Sequence, residues 1–418
     1  MTQPQPASRP RLLERAAPRS AAIAVLWLLA IGACVRLVVR SYAEDRYLID
    51  FRVLQDGATR FWDGGSVYSD PWFLLTPSGL LAMLPFGLLG PGIGFVVWNT
   101  LSICAAAVGI GCALRFVGAP LTGPVAAATT LGVCLSESLS STLLLGNLNN
   151  SLLLALAAGF LLADLRGRTV LAGVLLGVSL AIKPVLVLLL LIPLLRRRWP
   201  TLGWAVALPL TLNLVGLALL PSASDFFTVT VPHLLEGRRE WNNSLWAMGL
   251  YVGLPEWSIV ALRVLVLVLM GVAVWRLRLV EDAVLRSATT YGVLSLGTFL
   301  VSSLSQAYYS LLLVPLLLTV VRAGSAVRTP AAWVAVGLFA APDSWWFDRH
   351  PGWTEDFGVL RWTAGWAILF GTLVAWTLFR LHRANRDVEE ATPGTAAVAS
   401  RAPALDETGQ WVGTTSTR

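Results

Sequence analysis

The chain has 418 residues, of which 56% are hydrophobic and only 13% charged, and its mean hydropathy is +0.69. Soluble domains are about a quarter charged, so a soluble globular enzyme and a disordered chain are both excluded, leaving a polytopic helical membrane protein. The formal net charge of +7 comes mostly from Arg at the ends of apolar segments. That is the pattern of cytoplasmic loops; with no long polybasic run, the expected partner is the lipid bilayer and not nucleic acid.

In chain order, residues 1–19 are polar, carry Arg9, Arg11, Arg15 and Arg19, and read as a cytoplasmic tail. An apolar first span follows at 20–40 and reads as an uncleaved anchor. Residues 41–91 form a first outer loop. Its polar part holds Glu44, Asp45, Asp50, Asp56, Asp63 and Asp70 among many aromatics, which predicts helices lying on the outer surface. Residues 78–89 are apolar but too short to span.

Spans are expected near 92–116, 124–144, 147–165, 199–220, 257–276, 286–304, 307–321, 330–342 and 361–380. The stretch 169–195 is basic at both ends, at Arg166 and Arg168 and again at Arg196, Arg197 and Arg198, with Lys183-Pro184 in its middle. Proline breaks a helix interior, so two short helices folded back on each other are expected. The fold class is thus all-α and integral to the membrane, with about ten spans, a broken Lys-Pro pair and outer-surface helices. Loops 221–256 and 343–360 fall outside, and 383–418 reads as a disordered cytoplasmic tail. The reading is a multi-pass plasma-membrane protein, with one catalytic unit at 20–382 between cytoplasmic termini.

Four cysteines (Cys34, Cys104, Cys112, Cys134) lie inside apolar segments, and three histidines (His233, His350, His382) are scattered. Neither set has metal-ligand spacing, so no metal and no cofactor are expected. Asp50 sits in an apolar setting just after the first span. There a carboxylate either reflects the excess acid of outer loops or, partly desolvated, serves as a general base. The amides of Asn147, Asn149 and Asn150 open a span, where they cap the helix or hold sugar hydroxyls. Lys183, deep in an apolar run, carries an insertion cost of roughly 2.5–3.5 kcal/mol. It either reaches up to the head groups or meets a phosphate at a freed helix end. Arg238 and Arg239 are basic on the outer face, suited to an anionic ligand or to pairing with outer acids. His233, Asn242 and Asn243 share their loop. Gln306 suits a polar cleft, and Tyr309 an aromatic belt.

Several blocks carry a resemblance: IDFRVLQDGATRFWDGGSVY (49–68), GNLNNSLLLALAAGFLLADLRGR (146–168), AGVLLGVSLAIKPVLVLLLLIPLLRRRW (172–199), FFTVTVPHLLEGRREWNNSLWAMGLYVGLPEW (226–257) and SLSQAYYSLLLVPLLLTVV (303–321). In their order and spacing the chain resembles the GT-C glycosyltransferases of actinobacterial cell envelopes, and among them the branching α-(1→3)-arabinofuranosyltransferases. The resemblance implies a GT-C bundle, a decaprenyl-phosphate-arabinose donor, an arabinan acceptor and inverting transfer on the outer face. It implies Asp50 as base. It maps a Gly-x-x-Asn motif onto Gly146 and Asn149 and a Lys-Pro motif onto Lys183 and Pro184. Lys183 with Arg238 or Arg239 is then expected to hold the donor phosphate. Asn147, Asn149, Asn242, Asn243, Gln306, Tyr309 and His233 are expected around sugar and acceptor. The chain departs from the family pattern at Leu75-Thr76-Pro77, where many relatives carry Tyr-Pro-Pro. It departs again at Asn147, where mannosyl relatives carry Gln. Two other readings stand beside this one: a polyprenyl-phosphate-mannose-dependent mannosyltransferase, and a transporter of lipid-linked sugars, which predicts inverted repeats around broken helices.

Overall fold

A computed structural model describes residues 11–43, 48–342 and 354–391, and every regular element in them is helical. The order is α1 (Arg11–Ala43), α2 (Ile49–Trp62), α3 (Pro77–Gly87), α4 (Pro91–Val117), α5 (Pro124–Leu135), α6 (Glu137–Leu144), α7 (Leu148–Leu165) and α8 (Thr169–Ile182). It continues with α9 (Leu191–Leu195), α10 (Trp199–Leu219), α11 (Val231–Leu235), α12 (Leu245–Tyr251), α13 (Glu256–Leu277), α14 (Ala283–Val301), α15 (Val314–Leu317), α16 (Pro330–Ala340) and α17 (Thr354–Ala391).

Among the described residues, seven helices are long and apolar enough to cross a membrane: α4, α7, α10, α13, α14, the Ser20–Ala43 part of α1 and the Leu360–Phe379 part of α17. Burial sorts them. In α14, 89% of the apolar window is buried, against 11% in α1 and α10, so α14 is the central post and the other two lie at the periphery.

Three expected spans take other forms. The 124–144 stretch is two helices. Ser136 between them is extended, and its hydroxyl accepts from Leu139 N to cap α6. The 307–321 stretch is 3₁₀ turns on either side of the four-residue α15. Helix α16 has 11 residues, about 16 Å at 1.5 Å per residue, which is half a bilayer core. Helix α17 runs on to Ala391, past the expected boundary at 383, and the rest of the tail lies outside the described residues.

The break at Lys183-Pro184 is present. Helix α8 stops at Ile182, Lys183 is extended at φ −154°, ψ 117°, and 3₁₀ turns over Pro184–Leu190 lead into α9. The two arms return to one end. Arg196 and Arg198, just after α9, each reach the buried Asp164 carboxylate at 2.5 Å, and Asp164 is two residues before Arg166. Arg196 also donates to Ser287 Oγ near the start of α14 at 2.9 Å. Glycines let the hairpin pack. A Cβ on Gly173 would lie 2.6 Å from Thr201 O, and one on Gly177 2.9 Å from Trp204 O. This four-residue spacing of small residues draws α8 onto α10.

The outer-loop helices are not loose surface helices. Phe51, Leu54 and Ala58 of α2 are buried with Leu80, Met83 and Phe86 of α3 in a second hydrophobic core, separate from that of the bundle. Gln55 ties them by donating to Phe86 O at 3.1 Å and Leu89 O at 3.0 Å. The sequence reading placed helices at the outer surface here; the buried face of α2 packs on the apolar 78–89 segment.

Candidate active site

The N-terminal end of α7 organises the site. Gly146 takes φ +71°, which turns the chain between α6 and α7, and its carbonyl accepts from Trp98 Nε1 at 2.6 Å. Asn147 Oδ1 then accepts from Asn150 N at 3.2 Å and caps α7. That bond fixes which way the amide points, so Asn147 Nδ2 faces Asp50 Oδ2 at 2.7 Å and Tyr308 Oη at 2.8 Å. Tyr308 Oη in turn donates to Asp50 Oδ2 at 3.3 Å. From the other side Asp50 N donates to Leu145 O at 3.1 Å, which fastens the start of α2 to the end of α6. Asn150 Nδ2 holds the Tyr308 carbonyl at 2.7 Å.

Asp50 is half-buried. Burial pushes its carboxyl above the ordinary carboxylate range, and the Asn147 amide, the Lys183 charge and the Tyr308 hydroxyl pull the other way. This balance suits a general base that must exist as carboxylate yet hold a proton.

Lys183 stands at the apex of the broken hairpin, half-buried, with Nζ 5.0 Å from the centroid of the Tyr309 ring. It is braced from the start of α3. Thr76 Oγ1 and Ser78 Oγ both donate to Ala181 O at 2.5 Å. Thr76, one of the departures from the family pattern, also caps α3 by accepting from Gly79 N at 3.2 Å. The hydroxyl therefore anchors the turn that presents Lys183.

The structure brings Asp50, Asn147, Lys183 and Tyr309 together and adds Tyr308. Asn149 is buried beside them, and its side chain makes no hydrogen bond among the described residues. The 225–246 loop is built differently. Arg238 donates to His233 Nε2 at 2.6 Å and to the His233 carbonyl, lies 3.7 Å from Glu236, and covers the Trp72 ring at 5.0 Å. Burial, then the Arg238 charge, hold His233 below the usual imidazole range, so it is neutral and accepts through Nε2. Arg238 is thus engaged with His233 and Trp72. Arg239 lies over the Tyr251 ring at 4.1 Å. Asn242 is fully spent on backbone: Nδ2 donates to Arg238 O and Ser303 O, and Oδ1 accepts from Ser244 N and Ser305 N. Asn243 is buried, and its backbone N–H donates to Ser305 O at 2.7 Å. Gln306 donates to Trp241 O at 2.8 Å. These bonds hook the loop to the strand-like turn before Tyr308. Asn242 and Gln306 therefore secure backbone, and both protons of Asn147 are engaged with Asp50 and Tyr308.

Tyr308 was missed by sequence reasoning because a Tyr pair at a span end reads as an aromatic belt. The available signal was its place two residues after the polar Ser305-Gln306 step. Among the described residues no group of His, Cys, Asp and Glu is arranged to hold a metal ion.

A bundle of membrane-spanning helices with a half-buried carboxylate and a lysine at a broken-helix apex defines an all-α polytopic membrane protein with a polar cluster among its helices. Residues 73–303 match the model of glycosyltransferase family 87. The chain belongs to that family and is a glycosyltransferase. It is similar to the alpha-(1->3)-arabinofuranosyltransferase of Mycobacterium tuberculosis H37Rv, 32% identical over 384 residues and 89% of each chain. It is also 32% identical to the protein of that name from Mycolicibacterium smegmatis, over 397 residues and 91% of each chain. The protein of the same name from Corynebacterium glutamicum is 32% identical over 338 residues, 77% of this chain and 78% of that one.

Proposed function

We propose that this glycosyltransferase moves an arabinofuranosyl unit from decaprenyl-phosphate-arabinose to an arabinan acceptor, making an α-(1→3) branch with inversion. The reaction takes place on the outer face of the plasma membrane and serves envelope arabinogalactan or lipoarabinomannan. The observation that carries the reading is the Asp50 carboxylate within electrostatic reach of Lys183 at the hairpin apex. The name shared by the relatives supports this choice of sugar and linkage. Orientation rests on the basic cluster. Arg196 and Arg198 meet Asp164 at the far end of the 18-residue α7, about 27 Å from Asn147. Cytoplasmic loops are the basic ones, so both described termini of the 20–382 unit lie inside and Asp50 outside.

In the step, the acceptor hydroxyl attacks the anomeric carbon and its proton passes to Asp50. The new C–O bond forms as the bond to the phosphate oxygen breaks, and the polyprenyl phosphate leaves with the electron pair. Lys183 stabilises the charge that grows there. Asn149, with an unspent amide, holds the sugar. Arg238 or Arg239 shares the donor phosphate with Lys183, and His233 lies on the acceptor side.

The test is Asp50→Asn, assayed with labelled decaprenyl-phosphate-arabinose and a short arabinan, with the mannose donor in parallel. Transfer is expected to fall by about 10²–10⁴ with the protein still folded. Full activity would remove the base, and transfer of mannose in place of arabinose by the unaltered protein would replace the donor.

A further inference from the structure

The bonds around Asp50 are one-sided. Asn147 Nδ2 and Tyr308 Oη both donate to Oδ2, at 2.7 and 3.3 Å, and Oδ1 accepts nothing among the described residues. The directions of these bonds are settled by the network itself. Asn147 Oδ1 is taken by Asn150 N, so its Nδ2 carries one proton to Asp50 and the other to Tyr308 Oη. A hydroxyl that accepts from Asn147 has its own proton left to donate, and Asp50 Oδ2 is the acceptor in reach. Tyr308 is buried, and its carbonyl is pinned by Asn150, so the hydroxyl has no freedom to turn away.

We propose that Asn147 and Tyr308 are a positioning pair that dedicates the two oxygens of Asp50 to different tasks: Oδ2 is the anchored atom and Oδ1 the one that takes the acceptor's proton. This inference rests on the reading of Asp50 as base. The pair locks the carboxylate rotamer and favours its ionised form, in a site where burial favours the neutral one. The charged and titratable groups facing Asp50 are Lys183 from the hairpin apex and Tyr308 itself. Tyr308 is a positioning residue because it touches Asp50 and not, in this scheme, the sugar.

The experiment is the pH dependence of kcat/KM for the unaltered protein, Tyr308→Phe and Asn147→Asp, with donor KM measured alongside. Removing one donor from the carboxylate moves the acid limb, where Asp50 ionises, upward by about one pH unit. Donor KM is expected to stay within about twofold, since Lys183 is untouched. Asn147→Asp keeps an oxygen for the α7 cap and sets a second carboxylate against Oδ2, so its limb moves further up, which guards against an uninformative Tyr308 variant. An acid limb unmoved in both variants, with rates merely scaled down, would overturn the positioning role while leaving the base in place. Activity retained in Asp50→Asn would instead overturn the base reading.

Discussion

Gly146 meets two demands that no other residue meets together. Its φ is +71°, and a Cβ there would lie 2.6 Å from Phe51 Cβ. Phe51 is the neighbour of Asp50, so the clash falls on the backbone that carries the carboxylate. Gly146→Ala is expected to cost about 1–3 kcal/mol and to lower transfer more than tenfold, as a thermal melt and a transfer assay on the same sample would show. An alanine variant as stable and as active as the parent would mean that α2 shifts freely. At this scale the sequence was legible where a charge stood in the wrong solvent: Asp50 and Lys183 were conspicuous against apolar surroundings. It was opaque where a residue's partner came from far along the chain. Nothing near Asn147 says that its amide is aimed at Tyr308, 161 residues on. Likewise, nothing near Arg238 says that its guanidinium covers the ring of Trp72, far back in the chain.

The hairpin of α8 with its 3₁₀ return is the element to which the proposed function assigns the donor phosphate. Proline at 184 and arginines at both feet made it readable, since the first forbids a straight helix and the second forbids a single crossing. The 307–321 stretch was not readable, because an apolar run says nothing about whether its turns close i to i+3 or i to i+4. Lys183→Ala tests the hairpin's task. The apex is held by Thr76 and Ser78 on Ala181 O, so the fold is expected to survive. Loss of a charge-assisted contact of about 1.5–3 kcal/mol is then expected to raise donor KM roughly 10–100-fold. Titration of the polyprenyl-phosphate donor measures this, and an unchanged KM would take the phosphate away from Lys183.

The whole molecule is a large bundle core with a smaller core of α2, α3 and the starts of α4 and α7 set on it. Composition announced the bundle, but not the second core, whose apolar residues are interleaved with charges in the acidic loop. Stability is graded across such a structure. Amide exchange in α2 and α3 is expected to be faster than in the buried α14, and equal protection in both would show a single cooperative unit. The bond from Asp50 to Tyr308 crosses from one core to the other, since Leu48 and Phe51 belong to the smaller and Tyr308 with the Lys183 arms to the larger. Acid and cation are thus mounted on different cores, tied both through Asp50, Asn147 and Tyr308 and through Thr76 and Ser78 on Ala181 O. A glycosyltransferase that sets a carboxylate and an ammonium across such a join keeps their separation only while both ties hold.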